Sequence, residues 1–293
     1  MGKKLTLEQI DKYESLPTLP AVVVRVLEVV LDSDSSAKDA AAIVASDPAL
    51  AAKVLKVVNS PAYGLRQKVS TVGHAVAMLG FATLKGLVLS ITVFDELLDK
   101  RIPIGLDKAL YWQHSLAVGA AAKCLAIVSH YDLPEEAYVA GLLHDTGKVV
   151  MDFILKEEYG RTLDSIRQQN ADPAAAELAM VGISHAEVGS RLLARWNLPQ
   201  ILQLAIKYHH EEPTKPDDIP DRALQLAAIL HVADFACWAQ GLGSVEASRP
   251  PALNPKAESR VKLDKRKTER VMEAVDTELK KLSDMFNLEA PDL

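Results

Sequence analysis

The sequence has little cysteine, no apolar run as long as a membrane span and no excess of positive charge. Only Cys124 and Cys237 occur among 293 residues, and both lie in apolar stretches with helical character. We therefore expect buried free thiols in a reducing compartment rather than a disulfide framework. No apolar run approaches the ~18 residues of a transmembrane helix, and the N-terminus lacks the apolar region of a signal peptide. These absences predict a cytoplasmic protein that does not bind a membrane.

The formal net charge of −6 at pH 7 argues against nucleic acid as a partner, because nucleic-acid-binding surfaces are basic. The basic residues between positions 262 and 267 lie in a segment of mixed charge, which indicates a solvated face. A Gly-rich phosphate loop, a Gly-x-Ser-x-Gly elbow and a Cys-x-x-Cys pair are all missing from the sequence. The common signatures of nucleotide, serine-hydrolase and thiol sites are therefore absent.

Alternating strand patterns are missing as well, whereas helix signals occur throughout the chain. Residues 21–31 carry apolar side chains at a 3.6-residue period, and Ser46-Asp47-Pro48 combines a helix cap with a first-turn proline. Ser184 predicts another N-cap, with Glu187 three residues later. With 49% hydrophobic residues the chain can bury a substantial core. We predict an all-α fold.

The helix signals fall into two groups along the chain. We predict an N-terminal helical subdomain over residues 10–100, packed on a helical bundle over residues 105–245. A linker is assigned to residues 246–263 because this region is rich in Gly, Ser and Pro, and a C-terminal helix is assigned to residues 264–286. Within the bundle, we expect one helix over residues 134–155 and another that begins at Pro199 and ends in His209-His210.

The most informative motif is the pair His144-Asp145, which lies in an apolar run. Further residues of metal-ligand type occur at helix-sized intervals, one or two in each predicted helix. They are His114, His185, His209, His210 and Asp234. A helical bundle can direct such side chains into one central pocket. Neutral imidazole and carboxylate suit borderline and hard divalent cations, and an aspartate beside a histidine can bridge two of them.

Lys148 follows His144 by four residues and Asp145 by three, so in one helix the three side chains would share a face. The ammonium group would then project into the metal pocket, where a bound phosphate would meet its positive charge. Neighbouring divalent cations lower the pKa of water and neutralise phosphoryl charge. The residues therefore predict phosphoester hydrolysis, with Lys148 and Asp145 as the candidate catalytic residues.

The order His, His-Asp, His, His-His, Asp resembles the HD superfamily of metal-dependent phosphohydrolases. The N-terminal half resembles the HDOD subgroup, the HD-related output domains of bacterial signalling. Four segments carry this second resemblance: Leu16-Pro-Thr-Leu-Pro20, Asp47-Pro-Ala-Leu50, Asn59-Ser-Pro-Ala-Tyr-Gly64 and Ala75-Val-Ala-Met-Leu-Gly80. The resemblance covers about residues 10–245. It implies an HD-type helical bundle with a cytoplasmic signalling role and a protein partner.

The related HD-GYP phosphodiesterases imply that all the histidines and aspartates named above are metal ligands and that Lys148 contacts phosphate. The sequence departs from their pattern because no Gly-Tyr-Pro motif follows His210, and because Leu110 stands where some trinuclear members place a glutamate. We therefore expect one or two ions, divalent metal or iron, without a choice among Fe, Mn, Mg, Ni and Zn. Hydrolysis of cyclic di-GMP is not expected.

Each of these residues also has a structural alternative. His114 alone would fit a core histidine, and His185 would fit a capped first helical turn. His209 and His210 lie ~100° apart on a helix, so one of them can point to solvent, and the resemblance favours His209 as the ligand. Asp234 can instead pair with a neighbouring base. Structural roles are assigned to the remaining histidines, His74, His130 and His231.

Three functions are compatible with the sequence. The chain can be a signalling module that binds a protein partner and keeps an occupied metal site. It can be a working phosphohydrolase that acts on a nucleotide or another small phosphoester. It can also be a metalloprotein in which the ions only join helices. We favour the signalling function, and the sequence leaves the oligomeric state open.

Overall fold

The structure is a computed structural model. It describes residues 5–13, 21–32, 34–59, 67–81, 84, 86–88, 91, 105–211, 216–243, 252–262 and 264–286. Every regular element in these ranges is a helix, which confirms the all-α prediction. None of the described helices combines the length and apolar character that crossing a membrane requires. Two of the motifs, Leu16–Pro20 and all but the first residue of Asn59–Gly64, lie outside the described residues.

The chain divides into two compact units, one of residues 19–99 and 276–293 and the other of residues 1–18 and 100–275. The described helices of the first unit are α2 (Ala21–Leu31), α3 (Ala37–Ser46), α4 (Pro48–Val58) and α5 (Val72–Leu79). Helix α3 packs against the other three. The cap predicted at the start of α4 is present, where Asp47 accepts a hydrogen bond from the Leu50 amide. At the start of α5, Thr71 accepts a hydrogen bond from the His74 amide. These local signals set the helix bounds because they satisfy first-turn amides.

The second unit contains the candidate site. Its helices are α1 (Leu7–Asp11), α6 (Lys108–Val128), α7 (Pro134–Leu143), α8 (Thr146–Leu155), α9 (Glu157–Gln169), α10 (Pro173–Met180), α11 (His185–Arg195), α12 (Gln200–Lys207), α13 (Asp221–Ala239), α14 (Pro255–Val261) and α15 (Lys265–Phe286), the last of which continues beyond the unit. Helix α6 packs on α7 and α13, α12 lies against α13 and α11, and α11 packs on α8. The six helices that contribute or flank the predicted ligands are thus neighbours in space.

The backbones of α6 and α7 approach each other closely at two glycines. A Cβ atom on Gly141 would lie 2.7 Å from the Cα of Gly119. Any larger side chain at Gly141 would force the helices apart, because real Cβ atoms do not approach a backbone atom so closely. This contact sets the distance between His114, five residues before Gly119, and His144, three residues after Gly141.

The single helix predicted over residues 134–155 is wrong, because a turn at residues 144 and 145 separates α7 from α8. Two carbonyl groups that would accept hydrogen bonds from backbone amides in a continuous helix are in contact with side chains instead. The Gly141 carbonyl lies 2.7 Å from His144 Nδ1, and the Leu143 carbonyl accepts a hydrogen bond from the Thr146 hydroxyl at 2.8 Å. Such side-chain bonds compete with the helical backbone pattern. The helix predicted to end in His209-His210 likewise ends earlier, at Lys207.

The segment assigned to a linker, residues 246–263, contains helix α14, which packs on α13. The Asn254 side chain accepts a hydrogen bond from the Lys256 amide at 2.9 Å, and Pro255 occupies the first turn. Asn-Pro is a helix-start signal that the richness in Gly, Ser and Pro obscured. The cysteines follow the prediction only in part, since both are free but Cys124 is half-buried while Cys237 is buried.

Candidate metal centre

The structure brings all the predicted ligand residues together. His114 lies in the second turn of α6, His185 is the first residue of α11, and Asp234 lies in α13. The turn after α7 contributes His144 and Asp145, and the turn after α12 contributes His209 and His210. All of these side chains are at most 4% exposed except that of His210, which is half-buried. Their role as ligands stays a prediction, while their convergence is a structural finding.

A first group of donor atoms surrounds His114 Nε2. This atom lies 3.2 Å from His144 Nε2, 3.1 Å from Asp234 Oδ1 and 3.5 Å from Asp145 Oδ2. Two donors bound to one cation at ~2.1 Å lie about 3.0–3.4 Å apart for octahedral to tetrahedral angles. The first group is therefore spaced as the donors around a single cation would be.

A second group is richer in histidine. His185 Nε2 lies 2.9 Å from His210 Nε2 and 3.3 Å from Asp145 Oδ1. The nitrogen donors of His185, His209 and His210 all lie within 4.8 Å of one another. Asp145 thus contacts both groups: Oδ2 lies toward His114, and Oδ1 lies 3.3 Å from His185 Nε2 and 3.5 Å from His144 Nε2. This is the arrangement expected of a carboxylate that bridges two cations.

In each of four histidines, an acceptor holds the ring nitrogen Nδ1, so that the other ring nitrogen, Nε2, faces the site. Nδ1 of His114 lies 2.6 Å from the Leu242 carbonyl, Nδ1 of His144 2.7 Å from the Gly141 carbonyl, and Nδ1 of His209 2.6 Å from the Ile206 carbonyl. For His185 the acceptor is a carboxylate oxygen of Glu177 at 2.6 Å. In the neutral ring each Nδ1 must donate to these acceptors, which leaves the lone pair of Nε2 inside the group.

The residues fit a bound cation by a second observation. Among the described residues, His209 Nε2 is buried without a hydrogen-bond partner. Burying such an acceptor without a donor is costly. A cation would satisfy it, and imidazole nitrogens mixed with carboxylate oxygens suit iron, manganese, nickel or zinc better than calcium, which prefers oxygen ligands.

The electrostatics keep the donors in their binding forms. Burial lowers the pKa of His144 to about 4. Burial is also the largest cause that holds the pKa of His209 well below its ordinary value, and the neighbouring histidines lower it further. Burial raises the pKa of Asp145, but the charges of His144 and Lys148 outweigh it and hold that pKa well below the usual range. Asp234 is likewise ionised, because its contacts with His114 overcome burial and lower its pKa to about 2. Neutral imidazoles therefore face ionised carboxylates.

Lys148 reaches the site although the predicted continuous helix is broken. Its Nζ donates a hydrogen bond to Asp145 Oδ2 at 2.6 Å, and its side chain is only 3% exposed. Burial lowers the pKa of Lys148, but the charge of Asp145 outweighs burial and raises it above its ordinary value. A permanent positive charge thus lies beside the aspartate that joins the two groups.

Gly147 lies at a close contact between two helices. A Cβ atom on Gly147 would lie 1.9 Å from the carbonyl oxygen of His185 and 2.7 Å from the amide nitrogen of Gly189. Helices α8 and α11 therefore touch through their backbones at this point. The absence of a side chain at Gly147 places His185 next to Asp145.

Glu177 also lies at the centre, although no signal in the sequence marks it. It lies in the short helix α10, and its carboxylate is completely buried against His185. The two residues are eight positions apart and in different helices, so no periodic pattern connects them. His231 has the structural role assigned to it: its Nδ1 lies 2.8 Å from the His209 carbonyl, and its Nε2 accepts a hydrogen bond from the Asn254 amide.

A small, partly open cleft reaches the second group. Its lining includes Tyr208, His209, His210, Leu224, Ala228 and Asn254. His210 is the least buried of the candidate ligands, and it lines this cleft. In the part of the chain that the structure describes, the cleft therefore leads from the second group to the surface.

An all-helical unit in which one aspartate joins two groups of histidine and aspartate side chains defines a candidate dinuclear metal-binding bundle. The family model of the HDOD domain matches residues 16–212, and the chain belongs to this family. The structure is similar to that of an HDOD domain protein of unknown function from Geobacter sulfurreducens, with 26% identity, coverage of 96% and 97% of the two chains, and a TM-score of 0.80.

Of two further relatives, one is named as an enzyme and the other is uncharacterised. A protein from Shewanella amazonensis that is named a phosphohydrolase has 25% identity, coverage of 94% and 96%, and a TM-score of 0.62. An uncharacterised protein of Treponema pallidum is 27% identical over 219 residues, which are 73% of this chain. The chain spans 41% of the length of that relative.

Proposed function

We propose that this chain is an HDOD-type signalling module whose helical bundle holds two divalent or iron cations. The observation that carries the proposal is the position of Asp145, with one oxygen 3.5 Å from His114 Nε2 and the other 3.3 Å from His185 Nε2. A carboxylate with imidazole donors at both oxygens is suited to joining two cations.

The signalling part of the proposal rests on family membership and on the distribution of the donor residues. Within the described residues, every potential metal donor of the first and second groups belongs to the unit that contains α6 to α13. The described helices α2 to α5 contribute none of them. We propose that the unit containing α2 to α5 binds another signalling protein, and that the metal centre stabilises the bundle that accompanies it.

Elemental analysis tests the metal centre. Protein purified without chelator is expected to contain close to two equivalents of iron, manganese or zinc. A matched control is His74→Asn, which removes a histidine of α5 that belongs to none of the donor groups and is expected to leave metal content unchanged. Protein that is isolated without metal and also fails to take up iron, manganese and zinc would contradict the proposal.

A second candidate function is metal-dependent hydrolysis of a small phosphoester. The observation that favours it is the buried ammonium of Lys148 beside Asp145, together with the cleft that reaches His210. When bound, divalent cations supply an activated water and neutralise phosphoryl charge. Lys148 would donate to a phosphoryl oxygen, and Asp145 would orient that ammonium group.

An activity panel separates the two candidates. Metal-loaded protein is assayed against phosphomonoesters, aryl phosphodiesters and nucleotides, with His144→Ala as the background control. We expect slow turnover of generic diesters and none of cyclic di-GMP. Turnover no higher than that of His144→Ala across the panel would remove the phosphohydrolase candidate and leave the signalling module.

A further inference from the structure

Glu177 makes more contacts with a candidate ligand than its place in a short helix suggests. Its Oε2 accepts a hydrogen bond from the backbone amide of His185 at 2.7 Å and lies 2.6 Å from His185 Nδ1. Its Oε1 accepts a hydrogen bond from the Tyr159 hydroxyl at 3.0 Å. The Glu177 side chain is 0% exposed. A single buried carboxylate thus holds both the ring and the backbone of His185, and Tyr159 holds the carboxylate in one orientation.

The two groups of donors differ in negative charge. The first group has Asp234 in addition to an oxygen of Asp145. The second group contains three histidines and shares only the other oxygen of Asp145. A divalent cation in the second group therefore has less compensating charge among its direct donors. The carboxylate of Glu177, behind the His185 ring, is an additional anionic group at this end of the centre.

We infer that Glu177 is a positioning residue for the second cation: it holds His185 with Nε2 unprotonated and directed at Asp145, and it adds negative charge behind the ring. This inference rests on the proposed metal centre. Carboxylates that accept from the distal nitrogen of a ligand histidine fix its tautomer and raise its basicity. In three other histidines of the centre, Nδ1 contacts a neutral backbone carbonyl. Of these four histidines, only His185 has its Nδ1 against a carboxylate.

The chemistry of glutamate distinguishes this role from simple helix capping. An ionised carboxylate only accepts hydrogen bonds, so Nδ1 of His185 must carry the proton. Both contacts to His185 are made by the same oxygen, Oε2. In Glu177→Gln the amide oxygen can take this position and accept both hydrogen bonds, while the NH₂ group faces the Tyr159 hydroxyl. The variant therefore keeps the hydrogen bonds and removes the negative charge behind the ring. If Glu177 only capped α11, this variant would bind zinc with unchanged affinity.

The test measures zinc binding and the histidine tautomer rather than activity. Wild-type protein and Glu177→Gln are titrated with zinc by calorimetry, and the zinc-loaded proteins are examined by ¹H–¹⁵N correlation spectra of the imidazole rings. The matched control is Glu136→Gln, which changes another buried glutamate that accepts hydrogen bonds from a tyrosine, Tyr131, and from Arg222 at 2.6 Å. Glu136 contacts none of the candidate ligands among the described residues.

We expect wild type and Glu136→Gln to bind two zinc ions, and Glu177→Gln to keep one and bind the second about 10- to 100-fold more weakly. His185 of the wild type is expected to carry its proton on Nδ1. Two zinc ions of wild-type affinity in Glu177→Gln would overturn the inference and leave the metal centre intact. If that variant does not fold, the wild-type spectrum decides, because a proton on Nε2 of His185 would overturn the inference. A wild type that binds no zinc would overturn the metal centre itself.

Discussion

Lys148 donates a hydrogen bond to Asp145 across a distance of 2.6 Å, and both side chains are buried, with exposures of 3% and 1%. The bond uses Asp145 Oδ2 and leaves Oδ1 directed at His185. A buried ion pair of this kind is sensitive to the loss of either partner, because the remaining charge is then buried without compensation. The pair therefore couples the stability of the bundle to the carboxylate at its metal centre.

Asp145→Asn is expected to lose most of the bound metal and to destabilise the metal-free protein by about 3–5 kcal/mol, because the Lys148 ammonium keeps its burial but loses its anionic partner. The measurements are elemental analysis and urea unfolding in EDTA. The double variant Asp145→Asn/Lys148→Met removes both charges and should recover much of the lost stability without recovering metal. Equal stability of the single and double variants would contradict this coupling.

Lys148→Met tests the phosphohydrolase candidate separately from metal binding. Methionine keeps much of the side-chain volume and removes the charge, so metal content should stay at the wild-type level. Any phosphodiesterase rate should fall by about ten- to a hundredfold, which corresponds to ~1.4–3 kcal/mol of lost charge stabilisation in the transition state. A wild-type rate in this variant would show that the ammonium does not contact the reacting phosphate.

Gly147→Ala should disturb the centre although residue 147 has no side chain in it. The added Cβ would lie 1.9 Å from the His185 carbonyl, so α8 and α11 must separate at an overpacking cost of at least ~1–3 kcal/mol. We expect a lower Tm and weaker metal binding. The control is Gly160→Ala in α9, where a Cβ would meet nothing within 4 Å and alanine should be neutral or stabilising by up to ~1 kcal/mol. Similar Tm values for the two variants would refute the packing argument.

The stability of the metal-free protein should fall as the pH is lowered from about 7 toward 4. Burial lowers the pKa of His144 from 6.5 to about 4, so the unfolded chain takes up a proton at a higher pH than the folded chain does. The stabilisation is complete above the unfolded pKa and is lost through this interval. The difference between 6.5 and about 4 corresponds to about 3 kcal/mol for this group.

Urea unfolding in EDTA at several pH values measures this loss. His144→Gln removes the titrating ring, so its unfolding free energy should depend less steeply on pH between 7 and 4. A wild-type unfolding free energy that is constant over this interval would exclude the neutral, buried imidazole on which the proposed ligand role depends.

Much of the helical layout could be predicted because its signals are local. The start of α4 at Ser46-Asp47-Pro48 and the cap of α5 at Thr71 involve hydrogen bonds within a few residues. The asparagine cap of α14 is just as local, and it was missed only because the surrounding composition resembled a linker. The candidate ligands could be identified from residue type and order, which do not depend on where each helix ends.

Periodicity, caps and residue order were enough to predict the helical class, the family resemblance and the set of candidate ligands. How those ligands are held depends on contacts between helices. The turn at His144-Asp145, the contact of Gly147 with His185 and the acceptor that Glu177 provides join residues from different helices. Leu242, which accepts from His114, is 128 residues away along the chain. Such contacts depend on helix packing, which brings together groups that no local pattern in the chain relates.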